Sequence, residues 1–512
     1  MVFILSINSL CAQVSRSGEP VSWNLPEDLT ENLNIFSLET VDSNVLLAED
    51  LVETEDKDIP LRFAQKQAVN FDLYNSGRWS NLSNGDRIWL LGIHSDGAKS
   101  LSVTFEDFYL PKGAALYLYT PDRSEIIGAL TNDNNKSSGV LTTAALSGED
   151  LLIEYYEPYA VRQEGEITIR TISHSYRAVN AQATDFLNST ECMLNTICLQ
   201  EEGQREVSSS TVLLTVDDGS RWCTGTLVNN ANFDGKPYLI TSTHNLVGDP
   251  DSWLFTFKHS SANCSPSVQS RASYSLSGAT LLEVSDENGL VLLELSTRPL
   301  PNWDVFYAGW DVSGATPQQV YTVHHPKGNI KKFTSHDSAP TQNMWAAMDV
   351  WSVENWSTGS TTAGSTGAGF FNQNNRLIGT LLGGDSECGV GGTDHFSLMS
   401  EAWTSFEKYL NPFNENISIL DGTYFQFGEV NTKVFEDNIA IFPNPAVNSF
   451  NIVNGNGEAI EQINVFDLAG RIVFTHTYNG QPINIEMLPV GNYIIQIQLE
   501  TQSIQTNLVK LN

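Results

Sequence analysis

The stretch "TTAGSTGAGFFNQNNRLIGTLLGG" (Thr361 to Gly384) runs from small residues through a tight glycine turn, "GSTGAG" (Gly364 to Gly369), into an apolar strand. The third residue of that turn is Thr366, and whether its hydroxyl does chemistry is the question the stretch raises. Around this loop a β-dense region extends from about Ile167 to Pro412. Within it, "YLITSTHNL" (Tyr238 to Leu246) reads as a buried strand ending in His244.

Upstream, Trp23 to about Glu157 is also β-rich. "KSLSVTFEDFYL" places Leu101, Val103 and Phe105 on one face, and "AALYLYTPDRSEIIGAL" sets a Pro-Asp turn between two apolar runs. Turn signals at "SNGDR" (Ser83 to Arg87) and "PKG" (Pro111 to Gly113) recur as in a sandwich or jelly roll. Downstream, "NPFNENISILDGTYFQFGEVNTKVFEDN" reads as a polar connector, and Ile439 to Asn512 is a string of short alternating strands that suits a small β-sandwich. The fold class is all-β throughout.

A chain of 512 residues exceeds what one core sustains and suggests about three domains. With 27 basic against 60 acidic residues, the net charge is −33. Such a surface repels phosphate backbones and anionic lipid, so nucleic acid is not an expected partner. The acids are scattered; neither a metal site nor a cofactor is expected among them. The amino end, "MVFILSINSLCAQ", is too short to span a bilayer and has the form of a secretory leader cleaved after Ala12, whose positive start would lie upstream. No later stretch reaches 18 uninterrupted apolar residues, so no membrane span is expected. Removing the leader takes Cys11 and leaves Cys192, Cys198, Cys223, Cys264 and Cys388, which in an oxidising compartment means two bridges and one spare thiol, with connectivity open.

Two resemblances add to this. "IFPNPAVNSFNI" (Ile441 to Ile452), "VFDLAGRIV" (Val465 to Val473), "LPVGNYIIQI" (Leu488 to Ile497) and Lys510 resemble the type A sorting domain of the Bacteroidetes type IX secretion system. That implies export through the outer membrane, a secreted or cell-surface location, and the secretion machinery as a partner of residues 438–512. "CTGTLVNNANFDGKPYLITSTHNL" (Cys223 to Leu246), "LVLLEL" (Leu290 to Leu295), "VFYAGWD" (Val305 to Asp311), "VHHPKGNIKK" (Val323 to Lys332) and "NWSTGSTTAGSTGAGFFNQNNRLIGTLLGG" (Asn355 to Gly384) resemble trypsin-like serine endopeptidases of the lysyl endopeptidase type. The resemblance implies two packed antiparallel β-barrels with the site between them. The resulting plan is a signal peptide at 1–12, an amino-terminal extension resembling a pro-domain at 20–165, the protease-like domain at 166–412, a linker at 413–437 and the sorting domain at 438–512.

Family chemistry needs a serine, a histidine and a carboxylate. By resemblance, His244 stands in the general-base position. The carboxylate slot, three residues before the paired leucines Leu292 and Leu293, falls on Gly289, and a slipped strand would offer Asp286 or Glu287 instead. The nucleophile slot holds Thr366, whose β-branch stiffens its χ1, and the oxyanion hole falls on Gly364 and Thr366. Ala368 and Gly369 replace a small hydroxyl residue and a proline, which is expected to loosen the turn. Asn245 replaces the cysteine that would pair with Cys223, leaving Cys223 free, while Cys192 with Cys388 and Cys198 with Cys264 are the implied bridges. Asp394 matches the acid that makes the family pocket prefer lysine, and Leu382 stands where relatives often place a histidine.

The leading reading is a secreted protease homologue without peptidase activity, binding a protein or peptide ligand through the old cleft or acting at the surface. One alternative is a working lysyl-specific endopeptidase using Thr366. Another is an adhesin or glycan-binding role for the amino-terminal domain, through Trp79, Trp89, Tyr109, Tyr117 and Tyr119.

Overall fold

The computed structural model describes residues 12–13, 18–25, 29–30, 33–53, 57–178, 192–264, 273–412, 417–425, 439–442, 446, 448–454, 460–467, 471–478, 481–489, 491–499 and 503–510. The leader expected at residues 1–12 lies almost wholly outside them. Of it, Ala12 is described, in a short strand with Gln13 that runs parallel to Tyr274–Ser275.

The amino-terminal part is a sandwich of a five-stranded and a six-stranded sheet. Alternation along each strand turns one row inward, so Trp89, Leu91 and Ile93 of one sheet meet Leu101, Val103 and Phe105 of the other in a single core. The strand Glu166–Ser175 pairs with Ser100–Tyr109 and Ala64–Asp72, so the sandwich extends past the boundary expected at residue 165. The alternating "ITIRTIS" pattern buries Ile167, Ile169 and Ile172 and carries the chain back across this sheet before the protease-like region begins. One element departs from the β-rich reading. Ser43–Glu53 is a helix, opened by the Asp42 carboxylate accepting from the Asn44 and Val45 N–H groups at 3.0 and 3.3 Å.

In the next sheet the strand order is Tyr274–Ser277, Leu254–Phe257, Thr211–Val216, Arg221–Val228, Tyr238–Ser242, Leu290–Leu295 and Ala279–Ser285. The first and last of these are consecutive in the chain, joined at Gly278 with φ +90°, so the sheet rolls onto itself. A second sheet does likewise. It runs from Lys332–His336 through Val320–His324, Gly369–Asn372, Arg376–Gly384, Thr393–Ser397 and Met348–Glu354 to Thr341–Trp345, whose end strands are again neighbours in sequence. The helix Met399–Leu410 buries Met399, Ala402, Phe406 and Leu410, and its Tyr409 hydroxyl donates to the Leu282 carbonyl of the first barrel at 3.0 Å. Part of the segment expected to be a polar linker is structured: Ile419–Leu420 pairs with Trp310 and Asp311.

Residues 424–512 belong to a separate compact unit. Its sheets of three and four strands enclose a core that includes Phe450, Ile463, Val465, Ile495 and Leu508.

The barrels share a buried basic cluster. Lys331 donates its N–H to the His259 carbonyl at 2.9 Å and its ammonium to the Ser208 carbonyl at 2.6 Å, and the His259 and His325 rings stack with centroids 5.8 Å apart. Burial pushes the His259 pKa down from 6.5 to about 4 and that of His324 to about 3, with Lys331 adding to the first shift and Lys332 to the second. Because the folded values are depressed, the unfolded chain takes up these protons first. The corresponding stability is complete above pH 6.5 and declines as pH falls towards 4 and 3, at about 1.4 kcal/mol per pKa unit. We predict that the thermal unfolding midpoint drops through this window, and that His324→Gln flattens the drop even though it lowers stability at neutral pH. Calorimetry at stepped pH checks it, and equal slopes in both proteins would contradict the assignment.

Candidate active site

The strand Tyr238–Ser242 ends in a single turn, Thr243–Asn245, capped by the Ser242 hydroxyl accepting from the His244 N–H at 3.2 Å. This turn lifts His244 into the cleft between the barrels. His244 Nδ1 lies 3.1 Å from the Leu382 carbonyl oxygen. A carbonyl only accepts, so Nδ1 is the donor in this bond.

No carboxylate bonds to this imidazole among the described residues. Gly289 ends the turn Asp286–Asn288 in the left-handed region at φ +67°, and a Cβ there would lie 2.5 Å from Leu382 Cδ2 and 3.4 Å from Met348 Sδ. The acid slot is thus occupied by apolar atoms. Asp286 and Glu287, the candidates for a slipped strand, are exposed on the same turn.

The nucleophile loop is tightly knit, against the expectation that losing a hydroxyl residue and a proline would loosen it. Ser365 N bonds Thr362 O at 2.9 Å, Gly367 N bonds Leu381 O at 2.8 Å and Ala368 N bonds Ser365 O at 3.0 Å. The small residues are what allow this: a Cβ on Gly367 would lie 2.2 Å from Thr241 Oγ1, and Ala368 packs into the second barrel's core. His324 supports the loop from below, its Nδ1 2.7 Å from Ser365 Oγ.

Asn245 also does more than mark a lost cysteine. Its amide donates to the Thr366 carbonyl at 2.9 Å and to Thr241 Oγ1 at 2.8 Å, while Thr224 N reaches the same carbonyl at 3.0 Å. A polar staple therefore joins the His244 turn to the Thr366 loop. Cys223 stays unpaired and buried, and burial pushes its thiol pKa up. Bridges join Cys192 to Cys388 and Cys198 to Cys264.

Thr366 is fully buried, and its hydroxyl donates to the carbonyl oxygen of Lys57. No hydrogen bond joins it to His244 among the described residues, and none engages the Gly364 or Thr366 N–H groups. Asp394, on the strand Thr393–Ser397, is likewise buried; its Oδ2 accepts from Trp356 Nε1 at 2.7 Å, Thr361 Oγ1 at 2.7 Å and Ser386 Oγ at 2.6 Å. Its Oδ1 faces the Lys57 ammonium at 3.5 Å, and that ammonium also meets the Ser386 carbonyl and, at 3.2 Å, the Ser386 hydroxyl. Burial lowers the Lys57 pKa while Asp394 works to raise it.

The sequence reading passed over Lys57, Thr361, Ser386 and Trp356. A cue for Lys57 was present, since it is the only basic residue between Arg16 and Arg62 and sits in "EDLVETEDKD".

The proposed sugar-facing aromatics form no shared face. Trp89, Tyr117 and Tyr119 are buried in the core, Trp79 packs under the Arg87 guanidinium, and only Tyr109 is well exposed. One group of metal-ligating type, His94, Asp96 and Glu149, gathers on this domain among the described residues. Two of its atoms take protein partners, His94 Nδ1 with Asp150 Oδ1 at 2.8 Å and Glu149 Oε1 with the Gly97 N–H at 3.0 Å.

Residues 186–397 match the family model "Lysyl endopeptidase, C-terminal domain", and residues 440–511 match "Secretion system C-terminal sorting domain". A lysyl endopeptidase of Pseudomonas aeruginosa is 24% identical over 292 residues, 52% of this chain and 62% of that protein, so the chain spans about six tenths of the relative's length. Among solved structures, the HtrA-type protease AlgW with tripeptide is 11% identical, covers 60% of this chain and 95% of its own, and has a TM-score of 0.30. Rv3671c protease from M. tuberculosis, active form, is 12% identical over 41% of this chain and 84% of its own, at a TM-score of 0.28. The sorting domain marks the chain for export by type IX secretion to the surface or the medium.

Two substitutions test the geometry. Gly289→Asp is expected to cost about 1–3 kcal/mol, because it places a Cβ at positive φ against Leu382, with Leu382→Ala in the same chain returning part of the loss. Asn245→Ala is expected to cost a similar amount, about 1–3 kcal/mol, by removing buried hydrogen bonds to the Thr366 carbonyl and the Thr241 hydroxyl. Denaturant unfolding measures both, and a neutral Asn245→Ala would refute the staple.

Proposed function

We propose, from a lysyl endopeptidase-type domain at residues 186–397 and a sorting domain at residues 440–511, that this chain is an exported protease homologue without peptidase activity. In this reading its cleft binds a lysyl side chain of a protein or peptide. The observation that carries the reading is at His244: a neutral carbonyl holds Nδ1 where catalysis uses a carboxylate, and Leu382 fills the space that carboxylate would need.

The chemistry follows from charge. To accept a proton from a hydroxyl, His244 must become an imidazolium, and a carbonyl dipole stabilises that cation far less than a carboxylate. Loss of the carboxylate alone typically costs about 10⁴-fold in rate. Thr366 compounds this, since its hydroxyl donates to the Lys57 carbonyl oxygen rather than to His244. What supports binding is the Asp394 pocket, a buried carboxylate held by three donors with one oxygen left for a cation.

A second reading has one observation in its favour. A lysine side chain in the pocket with its own carbonyl on the Thr366 hydroxyl is how a substrate would lie, which makes Lys57–Asp58 the bond a slow peptidase would cut. Purified full-length protein, together with a Lys57→Gln variant that empties the pocket, is incubated with a lysyl reporter peptide and a serine-directed phosphonate. We expect no turnover, no adduct, and an intact Lys57–Asp58 bond by mass spectrometry. A new amino terminus at Asp58, or an adduct on Thr366, would establish the peptidase instead.

A further inference from the structure

We propose that Lys57 is a built-in ligand of the Asp394 pocket, and that residues 57–64 form a tethered strand which a lysyl peptide of another protein must displace to enter the cleft. The proposal rests on the reading of that pocket as a lysine site, and it involves exchange of one strand for another with no bond made or broken.

Lys57 fits the pocket at both ends. Its ammonium meets the free oxygen of Asp394 and both oxygens of Ser386, leaving the lysine side chain 7% exposed, while its carbonyl accepts from the Thr366 hydroxyl. The downstream chain then runs along the first barrel as an added edge. Arg221 donates to the Pro60 carbonyl at 2.9 Å, Leu61 and Arg62 pair with Trp222 and Arg221, and the Phe63 and Ala64 N–H groups reach the Ser220 carbonyl at 3.0 and 3.2 Å. Phe63 stacks on Trp222 with centroids 3.7 Å apart. Such backbone pairing with one anchoring side chain is how extended peptides dock on sheet edges.

The other flank is secured by the helix Ser43–Glu53. Its buried Asp50 accepts from Arg62 Nε at 2.8 Å, Arg177 Nη2 at 2.8 Å and the Tyr176 hydroxyl at 2.7 Å. Lys57 is therefore held from both directions and presents itself to the pocket at an effective concentration of about millimolar order. An external lysyl peptide with micromolar intrinsic affinity would be masked in proportion to the closed population. The plug is not a permanent seal, because Lys57 itself sits at φ +53°, a conformation that disfavours side chains and that release would relieve. Arg16 and Arg62 are the nearest arginines or lysines in sequence on either side of it.

The test uses full-length protein and the acetylated peptide KDIPLRFA, a copy of residues 57–64, in isothermal titration. Lys57→Gln is expected to bind it at least about tenfold more tightly than wild type, and Lys57→Gln with Asp394→Asn to return to weak binding. Amide exchange supplies a second readout independent of the variants: in wild type, excess peptide should accelerate exchange of the Phe63 and Ala64 amides, as displacement requires. Equal, Asp394-dependent binding by wild type and Lys57→Gln, with unchanged exchange, would overturn the plug and leave the lysine pocket standing. No binding by a Lys57→Gln protein of normal melting behaviour, with unchanged exchange, would overturn the pocket and the plug together.

Discussion

The carbonyl of Thr366 is where the two barrels are tied. It accepts from Thr224 N, on a first-barrel strand, and from the Asn245 amide, on the turn that carries His244. A carbonyl has two lone pairs, and here both are used by the barrel that does not contain it. The position of His244 relative to the nucleophile loop is set by this atom, and the cleft's shape follows. A disulfide between Cys223 and residue 245 would hold the turn to its own barrel only. The asparagine instead reaches across to the other barrel, so losing the cysteine replaces one kind of constraint with another and leaves the architecture intact.

The same substitution logic explains why the departures at the centre are not independent. Glycine at 289 adopts a left-handed turn end that a carboxylate-bearing residue would resist, and the room released beside it is taken by Leu382. The Leu382 carbonyl then supplies the acceptor that His244 Nδ1 would otherwise lack. The two side chains are thus satisfied separately, His244 Nδ1 by the Leu382 carbonyl and the Thr366 hydroxyl by the Lys57 carbonyl. Both side chains turn to main-chain carbonyls, and no hydrogen bond links them to each other among the described residues.

Much of this was legible in the sequence because strand patterning and block order are local signals. "YLITSTHNL" places His244 at a strand end, "GSTGAG" fixes a turn that admits nothing larger, and the alternating strands of residues 439–512 announce a sandwich. What escaped depended on distance in the chain. The strand Glu166–Ser175 reads the same in either neighbouring domain, and only its partners, Ser100–Tyr109 and Ala64–Asp72, assign it to the sandwich. The looseness expected of the Thr366 loop ignored bonds arriving from Thr224 and Asn245, more than 100 positions away. A cavity inferred from a missing side chain, as at Gly289, also says nothing about which neighbour fills it, since close packing leaves few voids empty.

Lys57 shows the limit most clearly. Taking an ammonium out of water is costly unless a counter-charge and hydrogen-bond acceptors meet it. Asp394 and the two oxygens of Ser386 meet it here, and the nearby charges of Asp385 and Glu387 add to the same field. In a chain with 60 acids and 27 bases, a lone lysine within an acidic run would ordinarily remain in solvent with its neighbours. Its burial therefore requires a counter-charge, and the carboxylate that supplies it lies 337 residues away in sequence. In the proposed reading, Lys57 and Asp394 are ligand and pocket of one recognition event, both held within one chain.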